Sequence, residues 1–146
     1  VNSKMKLKLV SEMLAEVSKA TSKKKKGDLL RAYGAKFPAV MSALYGIYDP
    51  RVEWMLPEGP VPYTPQDITD DGGGIHREFR KFYVFTNSKA SANLPNMKRE
   101  ALYIEMLESL PAKDAELLVA MKDKTMPYKG ISQSLVKEVF PEIFGE

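Results

Sequence analysis

Cysteine is absent from the 146-residue chain, and histidine and tryptophan occur once each. Without cysteine there are no thiol nucleophiles, disulfides or cysteine-ligated metal centres, a usage that suits a reducing compartment. A single histidine leaves few side chains for acid–base catalysis at neutral pH. Long apolar runs are missing too. None approaches the ~20 residues of a membrane-spanning helix, and the N-terminal stretch lacks the apolar centre of a signal peptide. Neither secretion nor a membrane partner is expected. What remains is 44% hydrophobic and 28% charged, the composition of an ordinary globular domain. A chain of this size buries roughly 68 to 70% of its unfolded surface, enough for one core without staples. Met5 opens a stretch that runs straight into a helical pattern, so Val1 to Lys4 are expected to lie upstream of the biological start. A single helical domain is drawn over 5–146.

The formal net charge of +3 conceals segregation along the chain. Residues 1–36 carry ten basic and three acidic side chains, whereas residues 49–74 carry one and six. Residues 75–100 are net basic again, residues 101–146 net acidic, and residues 37–48 uncharged. Such a layout serves either internal complementarity or a basic end offered to an anionic partner.

Apolar spacing predicts seven helices. Val10, Met13, Leu14 and Val17 follow the i, i+3, i+4, i+7 pattern of an amphipathic helix between Leu7 and Ala20. For the next helix two arrangements stand open. Thr21 or Ser22 caps it, which crowds Lys23–Lys26 at its positive dipole end, or the first helix runs on to Gly27 and Asp28 caps the second. Pro38 opens a third, almost uncharged helix through Val40, Met41, Leu44, Tyr45 and Tyr48, which Asp49-Pro50 ends. Residues 50–74 hold five of the ten prolines and close on Gly72-Gly73-Gly74. They read as an extended, partly polyproline-like strap, pinned by Val52, Trp54, Leu56 and Tyr63. A fourth helix is predicted from Ile75 to about Phe85, with Ile75, Phe79, Phe82 and Tyr83 on its apolar side. Leu110-Pro111 joins a fifth and a sixth helix as an αα-hairpin, and Ser132 caps the last. No strand is expected. The fold class is all-α, an irregular bundle of six to seven helices whose groups, 5–48 and 75–146, are separated by the strap at 49–74.

Lys23–Lys26, with Lys19 and Arg31 nearby, form the clearest polar feature, because lysine binds phosphate independently of base sequence. The plain alternative is a solvated turn. The glycine triplet does not read as a phosphate cradle, since no strand precedes it, no Gly-Lys-Ser/Thr follows, and Asp70 and Asp71 stand where phosphate would come. Asp67, Asp70, Asp71 and His76 could hold a divalent cation, since hard oxygen ligands suit magnesium or calcium, but their spacing fits no EF-hand, and hydrated carboxylates are preferred. His76 has no evident orienting partner. Glu105 with Glu108 and Asp114 with Glu116 read as solvated helix faces. No catalytic residue, metal or cofactor is expected.

Several stretches taken in order carry a family likeness. They are Asp49-Pro50-Arg51-Val52-Glu53-Trp54 running into Leu56-Pro57-Glu58-Gly59 and Pro62-Tyr63, then Lys98-Arg99-Glu100 leading to Met106-Leu107-Glu108. Asp114-Ala115-Glu116-Leu117-Leu118 with Lys122-Asp123-Lys124 follows, and then Tyr128-Lys129-Gly130-Ile131 with Val136-Lys137-Glu138-Val139-Phe140-Pro141. The set resembles a family of small uncharacterised proteins encoded by large contractile-tailed bacteriophages, including marine ones. The resemblance implies action in the cytoplasm of an infected bacterium and carries no functional residue. The glycine triplet and the lysine run fall outside the family pattern.

The expected function is a non-enzymatic accessory role. The basic region, Lys19, Lys23, Lys24, Lys25, Lys26 and Arg31, would bind a nucleic acid or a nucleic-acid-bound complex. The alternative is a protein–protein interaction module that modifies a host or phage complex through the strap around Trp54 and Tyr63, with no nucleic-acid contact. A cryptic enzyme using His76 with Asp70 or Asp71 is the third.

Overall fold

A computed structural model describes residues 8–65 and 73–145. Asp67, Asp70 and Asp71 lie outside the described residues, as do Val1 to Leu7. Seven α-helices follow in order: α1 Val10–Lys19, α2 Lys23–Lys36, α3 Pro38–Tyr48, α4 Ile75–Glu78, α5 Asn96–Ser109, α6 Ala112–Lys122 and α7 Gln133–Val139. The chain is all-α, and the described residues contain no sheet. Its nearest approach to one is a single antiparallel bridge between Trp54 and Thr86.

α1 buries the four residues its period singled out: Val10, Met13, Leu14 and Val17. Ser22 settles the start of α2, its hydroxyl accepting the Lys25 amide at 3.1 Å. Asp28 is no cap but lies one turn inside the helix. Gly27 and Gly34 face α7 and the segment after it. A Cβ at Gly34 would stand 2.6 Å from the Phe140 ring and 3.0 Å from Met41 Sδ. Gly34→Ala is therefore expected to lower stability by about 1 to 3 kcal/mol by overpacking, read as a lower urea midpoint at unchanged slope.

α3 carries no charge and is buried through Ala39, Val40, Ala43, Leu44, Gly46 and Ile47. Its Met41, Tyr45 and Tyr48, expected inside, are only half-buried. α6 packs against α1, α3 and α5, and Tyr103 of α5 donates its hydroxyl to the Leu118 carbonyl at 2.9 Å. The two helical groups thus share one continuous apolar cluster, with the strap laid along its outside and not serving as their only link.

The helix predicted from Ile75 to Phe85 is helical throughout but changes type. After one α-turn it tightens into a 3₁₀ segment, Phe79–Phe85. A 3₁₀ helix repeats every three residues, so Phe79, Phe82 and Phe85 share one edge. Phe82 and Phe85 are buried there. Tyr83, placed on the apolar side by an α-helical period, instead stands 51% exposed.

Candidate functional site

The predicted basic residues gather at one end of the molecule, where α1 hands over to α2. Lys19 closes α1 and Lys23–Lys26 form the first turn of α2. The crowding is relieved locally. Lys24 Nζ meets Asp28 at 3.1 Å and Lys23 Nζ meets Glu138 of α7 at 3.6 Å. Arg31 shares Asp28 at 3.6 Å. Lys25 reaches the Thr21 hydroxyl at 3.3 Å. Lys26 Nζ donates to the Ala20 carbonyl at 2.7 Å, beside the end of α1, where a cation suits the helix dipole.

A distant part of the chain reaches the same end through its backbone. Ser18 donates its hydroxyl to the Lys129 carbonyl at 2.5 Å, which fixes the α6–α7 connector against the end of α1. Gly130 sits over Lys26 with φ +85°. A Cβ there would meet Lys26 Cε at 2.7 Å. The shallow concavity between α2 and α7, about 290 Å³, is lined by Lys23, Lys24, Arg31 and their acidic partners. Most of this charge faces solvent, the Lys24 side chain being 85% exposed. Among the described residues no ion pair joins the basic segment 8–36 to the strap 49–65.

The strap is held by other cations. Lys122, at the end of α6, donates to the carbonyls of Pro57 and Gly59 at 2.8 and 3.0 Å and to Asp123 at 2.6 Å. Lys124, in a left-handed conformation at φ 56°, donates to the carbonyls of Asp49 and Val52 at 2.7 and 2.8 Å. Burial lowers the Lys124 pKa from its ordinary value. Trp54, expected to meet a partner, faces inward at 9% exposure. Its indole N–H donates to the Gly46 carbonyl at 2.9 Å, and its ring meets the edge of Phe82 at 6.1 Å. Its surface is spent on attaching the strap to α3. Tyr63 is half-buried against the same apolar cluster, and burial raises its hydroxyl pKa.

His76 is likewise engaged. Its ring lies 5.2 Å from that of Phe37 between centroids, and Nε2 is 2.9 Å from the Lys8 carbonyl, so this nitrogen carries the proton and donates. A general base at Nε2 is not available in this arrangement. No group of three or more metal-ligating side chains occurs among the described residues, and none of their helices is long and apolar enough to cross a membrane.

Asp114 overturns the expectation of a solvated carboxylate, being fully buried. It accepts the Ser11 amide at 3.1 Å and the Ile75 amide at 2.9 Å, and so closes the first turns of α1 and α4 together. This explains the last glycine of the triplet. A Cβ at Gly74, φ +55°, would fall 2.3 Å from Asp114 Oδ2. The anion at that helix start is the protein's own. Burial raises the Asp114 pKa against the lowering effect of its hydrogen bonds.

In the sequence Asp114 reads as solvated, and Lys122 and Lys124 are given no role, because each acts on backbone atoms more than 20 positions away. A lysine in the last turn of a helix is a generic signal and names no target.

No curated protein and no solved structure matches the chain. A family match runs over residues 13–128, from within α1 through the lysine run, the strap and the α5–α6 pair, and stops short of α7. On that coverage the chain belongs to the family of unknown function DUF6433.

Proposed function

We propose that the protein is a non-enzymatic accessory protein that binds nucleic acid, or a nucleic-acid-bound complex, through the basic end at the α1–α2 junction. One observation carries this reading: six cations, Lys19, Lys23 to Lys26 and Arg31, share that end, and among the described residues their ion-pair partners are Asp28 and Glu138. Lysines at the positive end of a helix dipole repel one another and the free amides of the first turn, and a phosphate relieves both. The patch is lysine-rich, and the large aromatic side chain of the strap, Trp54, is buried elsewhere. This chemistry suits backbone phosphate contact without base readout. The motif resemblance to proteins of contractile-tailed phages supports a place of action in the cytoplasm of an infected bacterium.

Short fluorescent DNA and RNA, single-stranded and duplex, titrated across salt, test the proposal. Binding is expected to weaken steeply as salt rises. Replacing Lys23, Lys24, Lys25 and Lys26 together by glutamine is expected to reduce the slope of log K against log salt by about 3. Trp54 emission reports whether the variant remains folded. Absence of binding at low salt, or binding indifferent to both salt and the substitutions, overturns it.

A further inference from the structure

A slot of about 180 Å³ opens between the strap and α5, at a different part of the molecule. Pro57, Pro60, Val61 and Pro62 form one wall, Ile104 the other, and the buried ring of Tyr103 the floor. The volume lies below the ~300 Å³ of ordinary small-molecule sites and suits a single aliphatic or aromatic side chain. Three of the four residues of that wall are prolines, which have no amide N–H to offer an occupant.

The solvent-facing charge at the slot is acidic, since the lining cation, Lys122, has a side chain only 1% exposed. Glu100, Ile104 and Glu108 are four residues apart on α5 and share a face, with carboxylates one turn to either side of the apolar wall. Glu108 accepts the Thr64 amide at 2.9 Å. No ion pair reaches Glu100 or Glu108 among the described residues. Lys122, the cation nearest the slot, is spent on Asp123 and two strap carbonyls. An occupant must therefore be apolar at its centre and basic at its flanks.

We propose that the slot between the strap and α5 docks an extended basic peptide segment of a partner protein, with one Leu, Ile or Phe side chain inserted between Pro60 and Ile104. Glu100 and Glu108 are about 12 Å apart along the helix axis, the reach of about four extended residues. The motif recognised is basic, any residue, apolar, any residue, basic. The proposal stands independently of nucleic-acid binding at the α1–α2 junction.

A bead-bound library of random short peptides, panned against the full chain, tests it. Enrichment of that five-residue pattern is expected. Affinity of the enriched peptides should fall about tenfold in Glu100→Lys at low salt, because a flanking attraction becomes a repulsion. Ile104→Phe, which fills the slot, should abolish insertion, and circular dichroism checks the fold of both variants. Three results overturn the proposal: no enrichment, enrichment of acidic peptides alone, or enriched peptides that bind both folded variants as tightly as the original protein.

Discussion

Replacing Trp54 by alanine is expected to remove about 4 kcal/mol of stability, the largest loss from any single side chain of the strap. The indole fills the space between α3 and the 3₁₀ segment. Its ring packs so closely on Gly46 that a Cβ there would come within 3.0 Å of it. Alanine leaves a cavity bordered by Phe82 and Met121 and deprives the Gly46 carbonyl of its donor. Domains of this size are stable by roughly 5 to 15 kcal/mol, so the variant is expected to unfold at a much lower urea concentration. Trp54→Phe keeps most of the apolar volume and gives up the hydrogen bond, at about 1 to 2 kcal/mol. Circular dichroism at increasing urea checks both variants. Equal midpoints for the two proteins and the original would mean that the strap is not anchored at this residue.

Asp114→Ala is expected to cost about 3 kcal/mol, because two buried amides, at Ser11 and Ile75, lose their acceptor at once. Asp114→Asn satisfies one amide and turns an N–H toward the other, so it costs less than alanine but more than one cap. The asparagine variant also carries a pH signature. Burial raises the folded-state pKa of Asp114 above its unfolded value, so the native state binds the proton more tightly than the unfolded chain does. The resulting stability is complete below the unfolded pKa and is lost as pH rises through the folded one. Asparagine has no such titration. Its deficit relative to the original protein should therefore be largest in acid and shrink as pH rises across that window. The difference isolates Asp114, because Glu16, Asp49 and Glu78, whose pKa values are lowered by their partners, titrate in both proteins. Denaturant curves at a series of pH values read the effect, and a deficit that grows toward neutrality would contradict it.

Helices whose stability is written in local spacing were legible in the sequence. α1 shows its buried face at every fourth or third residue, Pro38 stands at the opening of α3, and Ser132 caps α7 as its position suggests. The all-α class, the hairpin at Leu110-Pro111 and the strap follow from the same local chemistry. The basic cluster was legible as composition, and its six residues do gather at one end. Less legible were features whose partner lies elsewhere in the chain. Asp114 looks like any first-turn acid until α1 and α4 are folded onto α6. The 3₁₀ segment hides behind aromatic residues three apart, which an α-helical period also accommodates for a turn or two. The open choice between Thr21 or Ser22 and Asp28 as the cap of α2 is decided by the Ser22 hydroxyl, which accepts the Lys25 amide. Gly27 lies against Val139 and Leu135 of α7 at ordinary contact distance, which suits a helix interior and not a helix stop.

Lys122 and Lys124 hold the strap by the carbonyl oxygens of Asp49, Val52, Pro57 and Gly59. A carbonyl is the same whichever side chain accompanies it. The grip therefore reads the path of the backbone and is blind to the identity of the outward residues, among them Glu53, Met55 and Glu58. Mutation can rewrite the exposed face of the strap while its attachment persists.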